Sequence, residues 1–186
     1  DTIAAGRGFG MHPHRDMEIL TFLLAGELEH RDSLGNGRII RPGEVQYMSA
    51  GSGVRHSEFN PSSSHETHLL QIWLTPNQIG LPPLYADRSL GTVPTGTLQL
   101  IASPDGCDGS FPIRQDAQLL AAHLAPHQRI LHHIAPDRHA WLHVASGAVS
   151  VNGHALGPGD AAALSKEPQL EIQAEAPSTI LLFDLP

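Results

Sequence analysis

The chain has 186 residues, 40% apolar and only 16% charged, with 18 glycines and 15 prolines. That length suits one sizeable domain or two small ones, and that balance disfavours long helical bundles and favours short strands joined by tight turns. A formal net charge of −8, with 11 basic residues that form no run, argues against a generic nucleic-acid surface. No stretch approaches the roughly 18 apolar residues of a membrane span, and no signal peptide is evident. Cys107 is the single cysteine, so no internal disulfide is possible and a reducing, cytoplasmic compartment is expected.

In chain order, the first informative stretch is GFGMHPHRDMEIL, residues 8–20. On a strand, residues two apart share a face, so His12 and His14 project together. Pro13 between them lacks a backbone donor, which suits an edge strand or a bulge. Residues 17–32 then read as a strand, a turn at Ala25-Gly26 and an alternating return strand. SLGNGRII supplies a Gly-Asn-Gly turn; RPGEVQYMSAGSGVRHSEF and HLLQIWL follow as strand-length runs between Pro/Gly turns. The turn-rich segment 75–96 reads as a connection. Beyond it the grammar repeats: Gly147 answers Gly26, Pro158-Gly159-Asp160 answers Pro42-Gly43-Glu44, and STILLFDL closes the second half as HLLQIWL closes the first. No segment forces a long helix. The expectation is an all-β chain of two tandem antiparallel β-barrels or sandwiches, jelly-roll-like, divided into residues 1–92 and 93–186.

Within the first half, His56 and Glu58 repeat the two-residue spacing of His12 and His14. Brought together, the two pairs would offer three imidazoles and a carboxylate, a set that binds divalent transition metals at about 2.0–2.2 Å. A lone His-X-His is more commonly turn or surface chemistry, and most of the 13 histidines are expected to be solvated or to cap turns. Glu18 shares parity with His12 and His14 and stands as a rival ligand or as a partner orienting one. In the second half the corresponding positions are His133, Ala135, His139, Ile172 and Ala174, so that copy is expected to hold no metal. The HRDSLGN run at 30–36 mimics a kinase catalytic loop without the other kinase parts, so Asp32 and Asn36 read as turn residues. Cys107 reads as an inert thiol.

The linked stretches GFGMHPHRDMEILTFLLAGELEHRDSLGN and RPGEVQYMSAGSGVRHSEFNPS resemble the pirin family of the cupin superfamily, particularly its bacterial members. Gly6, His12, His14 and Glu18 fit the general first cupin motif. In the second, Gly43 fits but the histidine comes two residues late, at His56, followed by Glu58; that departure is itself pirin-like. The resemblance implies a bicupin with one divalent ion held by His12, His14, His56 and Glu58. Fe(II) suits that donor set best, and Ni, Co, Mn, Cu or Zn would be tolerated. It further implies a dioxygenase that cleaves a flavonol such as quercetin with O2, releasing carbon monoxide, with Glu58 as ligand and base together. The alternative it carries is a non-enzymatic, metal- or redox-responsive regulator that binds a protein partner. A further segment ahead of the Gly8-Phe9-Gly10 turn, able to cover a pocket mouth, is also implied.

Overall fold

The computed structural model describes residues 1–91 and 94–186, all-β apart from a single 3-10 turn at Cys107–Gly109. The chain divides into two compact units, Asp1–Gly91 and Thr92–Pro186. The boundary expected between residues 92 and 93 falls on the two residues outside the described ones. No helix among the described residues is long and apolar enough to cross a membrane.

The first unit contains β1 (Thr2–Ile3), β2 (Gly8–His14), β3 (Glu18–Ala25), β4 (Leu28–Asp32), β5 (Gly37–Ile40), β6 (Glu44–Ser49), β7 (Val54–Phe59), β8 (Thr67–Leu74) and β9 (Leu84–Ser89). They form two antiparallel sheets, ordered β1-β8-β3-β6-β9 and β2-β7-β4-β5. The sheets face each other across shared apolar clusters. Ile19 and Met48 of the larger sheet pack with Val54 of the smaller, while Leu23 and Leu69 pack with Leu28 and Ile40. Period-2 alternation therefore aims Ile19, Thr21 and Leu23 at the interior and Glu18, Leu20 and Phe22 the other way.

The second unit contains β10 (Gln99–Ser103), β11 (Phe111–Pro112), β12 (Gln118–Leu124), β13 (Arg129–His133), β14 (His139–Ser146), β15 (Val149–Val151), β16 (His154–Leu156), β17 (Ala161–Ser165), β18 (Gln169–Ala174) and β19 (Ser178–Leu185). Its sheets run β11-β10-β12-β19-β14-β17 and β13-β18-β15-β16. One cluster fills the space between them, with Leu142, Val144 and Leu182 from the first and Val151, Leu170 and Ile172 from the second. None of these ladders closes on itself among the described residues; each unit is a pair of facing open sheets.

Two sequence expectations change in form. The turn after Ala25 does not make a hairpin, because β3 and β4 belong to different sheets. Gly26 carries the crossing at φ +79°, and a Cβ there would lie 2.6 Å from the Glu66 carbonyl oxygen. Thr67 Oγ1 donates to the Glu27 carbonyl at 2.6 Å and accepts from the Glu27 N–H at 3.3 Å. The second unit repeats the device: Gly147 has φ +83°, and Ser178 Oγ donates to the Ala148 carbonyl at 3.1 Å and accepts from its N–H at 3.0 Å. The segment expected to be a mere connection contributes β9, which pairs with β6 along Glu44–Ser49 and adds Tyr85 to the interior face.

Candidate metal centre

The smaller sheet of the first unit presents one polar face to the interior. Antiparallel register sets His12 opposite His56 and His56 opposite Asp32, and in the next row it sets Glu58 opposite His30. Directly opposed residues share a face, so all five side chains look the same way. A register shift between Phe9 and His12 inserts one extra residue into β2, so that Gly10 and Met11 together oppose Ser57. This bulge re-aims the strand and gives His12 a local partner, its Nδ1 standing 2.7 Å from the Gly10 carbonyl oxygen.

His12, His14 and His56 converge. Their ring centroids stand 4.5–4.9 Å apart, and one ring nitrogen from each lies within 4.8 Å of the others. Two donors on one ion at about 2.0–2.2 Å each stand at most roughly 4.4 Å apart, so small rotations complete a coordinating set. A second group, His30, His56 and Glu58, meets the same 4.8 Å limit and is fully buried. His56 belongs to both groups. Its Nδ1 stands 3.4 Å from His30 Nδ1, whereas its buried Nε2 has no hydrogen-bond partner. A buried polar nitrogen without a partner is costly. An ion between the three imidazoles is the partner that this donor chemistry fits.

Electrostatics agree with a site for a cation bound by neutral rings. Burial, then the nearby His30, His12 and His14, lowers the His56 pKa to about 3, with Asp32 opposing. Burial, then His12, lowers that of His14. Glu58, 2% exposed, accepts from Gln46 Nε2 at 3.1 Å on Oε1 and from Gln71 Nε2 at 2.8 Å on Oε2. Both amides come from the facing sheet, where Gln46 and Gln71 flank Thr21 in register. The Tyr85 hydroxyl donates to Gln46 Oε1 at 3.3 Å, and the Tyr85 ring stacks on His30 at 4.6 Å. Burial, then Asp87, raises the Tyr85 pKa. Trp73, 53% exposed, meets His14 edge-on at 5.1 Å and donates from Nε1 to Gln71 Oε1 at 3.0 Å.

The four residues expected from sequence thus lie on one face, with His56 and Glu58 buried and His12 and His14 half-buried. Glu18 lies elsewhere. The chain crosses between sheets at Arg15–Met17, with Asp16 at φ 48°, which breaks the parity that sequence spacing suggested. Glu18 points to the opposite face of the larger sheet, where the Tyr47 hydroxyl donates to its Oε1 at 2.5 Å. Sequence reasoning missed His30, Gln46, Gln71, Trp73 and Tyr85. The available signal was His30-X-Asp32, a third pair at the same spacing. Asp32 does serve the turn, accepting from the Leu34 and Asn36 N–H groups on Oδ1 at 2.9 Å each. Its other oxygen accepts from Asn36 Nδ2 at 2.8 Å and faces His30 Nε2 at 3.3 Å. Both groups of candidate ligands among the described residues are in the first unit; in the second, Ile172 and Ala174 are buried in the apolar core.

A family model described as Pirin matches residues 1–74, and one described as Quercetinase C-terminal cupin domain matches residues 100–185. A quercetin 2,3-dioxygenase of Escherichia coli (strain K12) is 46% identical over 186 residues, spanning 100% of this chain and 80% of that protein. The crystal structure of the bacterial pirin YhhW from Escherichia coli in complex with nickel(II) superposes with a TM-score of 0.93 at 45% identity, covering 100% of this chain and 79% of that one. A quercetin 2,3-dioxygenase structure from Acinetobacter baumannii gives 0.82 at 26% identity, over 96% and 68% of the two chains.

Proposed function

The chain belongs to the pirin family, and from that premise we propose that it is a metal-dependent dioxygenase opening a flavonol such as quercetin with O2. The observation that carries this reading is the buried, partnerless His56 Nε2 beside the rings of His12 and His14. His12, His14, His56 and Glu58 would hold one divalent ion. The nickel(II) in the related pirin supports a divalent ion, and the three-imidazole, one-carboxylate donor set suits Fe(II). When bound, such an ion supplies Lewis acidity and, for Fe(II), electron exchange with O2.

The chain's own side chains supply the rest. A carboxylate oxygen of Glu58 takes the enol proton of the substrate, which needs Glu58 to be held without being locked. Two neutral amides on its oxygens do this. The exposed face of Trp73 beside His14 offers a flat apolar surface for a planar ring system. We read each pair of sheets as an opened jelly-roll barrel. On this reading residues 1–92 form the metal-binding cupin and residues 93–186 a cupin without ligands, in keeping with apolar Ile172 and Ala174 at ligand-equivalent positions.

Oxygen uptake and carbon monoxide release with quercetin, measured on Fe(II)- and Ni(II)-loaded protein, test the proposal. Turnover is expected in the wild type and none in His14→Ala, which should also lose the ion by elemental analysis. Wild-type rates in Glu58→Ala would remove the assigned proton transfer. A loaded protein that turns over no flavonol would overturn the enzymatic reading in favour of a metal-responsive binding protein.

A further inference from the structure

We propose that Asp32 and His30 are positioning residues that fix the tautomer of His56, keeping the proton on Nδ1 and the lone pair on Nε2, where the ion binds. The inference rests on the metal reading above and concerns residues outside the assigned ligand set. Its basis is a buried chain of three groups drawn from β4 and β7. Asp32 Oδ2 stands 3.3 Å from His30 Nε2, and His30 Nδ1 stands 3.4 Å from His56 Nδ1. The side chains of His30 and Asp32 are both 0% exposed, so no water competes for these contacts.

The direction of the chain follows from donor and acceptor chemistry. A carboxylate only accepts, so the His30 nitrogen facing Asp32 carries the proton. A neutral His30 then has its lone pair on Nδ1, which faces His56. His56 must donate from its own Nδ1, and its Nε2 is left as a lone pair. That atom is the one without a hydrogen-bond partner, on the side of His12 and His14. Both contacts, at 3.3 and 3.4 Å, lie just beyond the ordinary range of about 2.7–3.2 Å, and hydrogen bonds of unliganded sites commonly tighten when the site is filled. Tyr85 stacked on the His30 ring at an interplanar angle of 22° keeps that ring from turning. Gly10 does the same service for His12 through its carbonyl oxygen. Imidazole ligands oriented in this way through the non-ligating nitrogen bind metal more tightly.

Asp32 is further constrained in a way that makes the test sharp. Its Oδ1 accepts two backbone N–H groups, from Leu34 and Asn36, and its Oδ2 accepts from Asn36 Nδ2 at 2.8 Å while facing His30 Nε2. In Asp32→Asn the amide oxygen keeps the two backbone donors, so the amide nitrogen takes the Oδ2 place, where its two hydrogens face His30 Nε2 and the Asn36 amide, which must turn over to offer its oxygen. The chain then runs backwards: the amide donates to His30, His30 Nδ1 donates to His56, and the proton of His56 moves to Nε2.

The experiment combines nitrogen-15 NMR of the histidine rings in ion-free protein with calorimetric titration of Ni(II), on wild type, Asp32→Asn and His14→Ala. The wild type is expected to show His56 protonated on Nδ1 and to bind Ni(II); His14→Ala should not bind it. Asp32→Asn should move the proton to Nε2 and weaken Ni(II) by about 10–100-fold, with circular dichroism unchanged. Wild-type His56 protonated on Nε2 overturns the proposal, as does a change in tautomer without loss of affinity or the reverse. If Asp32→Asn does not fold, the wild-type ring spectrum alone decides. A wild type that binds no Ni(II) sinks the metal reading instead, a different result from binding that is indifferent to residue 32.

Discussion

His56 concentrates the chemistry of the first unit, and its burial has a cost that pH exposes. The folded chain holds this ring neutral, with a pKa near 3 against the ordinary 6.5. The unfolded chain protonates it below about pH 6.5, so between the two values the unfolded state binds more protons and stability falls as pH falls. For ion-free protein this amounts to roughly 2 kcal/mol between pH 6.5 and pH 5. Melting temperatures of wild type and His56→Asn across that range check it: the variant is expected to start lower and to depend less on pH. Parallel slopes would mean that another group titrates. At this scale the candidate ligands could be read from sequence because two pairs of donor side chains, His12-X-His14 and His56-X-Glu58, recur at one spacing within the first half. Their supports could not. A glutamine on a strand, such as Gln46 or Gln71, normally signals a solvated face, and nothing local reveals that Glu58 is buried opposite both.

Strands and turns were more legible than the sheets they join. Alternation and Gly-Asn-Gly or Pro-Gly punctuation predict β3 to β8 closely, yet a run of the same pattern serves equally for a hairpin or for a step to another sheet. Gly26 makes that step, and the reason is tertiary: the chain packs against the backbone of Glu66 and Thr67 at a distance no side chain permits. Gly35, also at positive φ (+93°), has open space around its would-be Cβ. Gly26→Ala is therefore expected to cost roughly 2–4 kcal/mol, because clash adds to conformational strain, and Gly35→Ala about 1 kcal/mol. Gly147→Ala should match Gly26→Ala, since its Cβ would meet the Pro177 carbonyl oxygen at 2.2 Å. Chemical denaturation of the three variants separates these cases; equal losses at Gly26 and Gly35 would refute the close-packing account. The bulge at Gly10-Met11 escaped sequence reading for the same kind of reason. Pro13 hinted at a bulge, but only the pairing with β7 locates it.

Across the whole molecule, duplication with divergence links the cores to the site. The second unit fills its interior with one apolar cluster that draws on both sheets. In the first unit, clusters at Val54 and at Leu28 stand at either end of the smaller sheet's interior face, and the row of imidazoles and carboxylates lies between them. A strip of buried polar groups contributes less than apolar packing unless its partners are complete; among the described residues the buried side-chain atoms without a partner, Thr21 Oγ1 and His56 Nε2, are both in the first unit. A ligand that binds only the folded form stabilises by mass action, by about 2.7 kcal/mol at one hundred times its dissociation constant. That gain belongs to the elements that hold it. Hydrogen exchange with and without Ni(II) should therefore show slower exchange in β2, β4 and β7 on loading and unchanged rates in β13, β15 and β18. Chelation should reverse the change, and His12→Ala should abolish it. Equal protection in the β13-β18-β15-β16 sheet would place a second ion among the histidines of the other unit, against the apolar substitutions at Ile172 and Ala174.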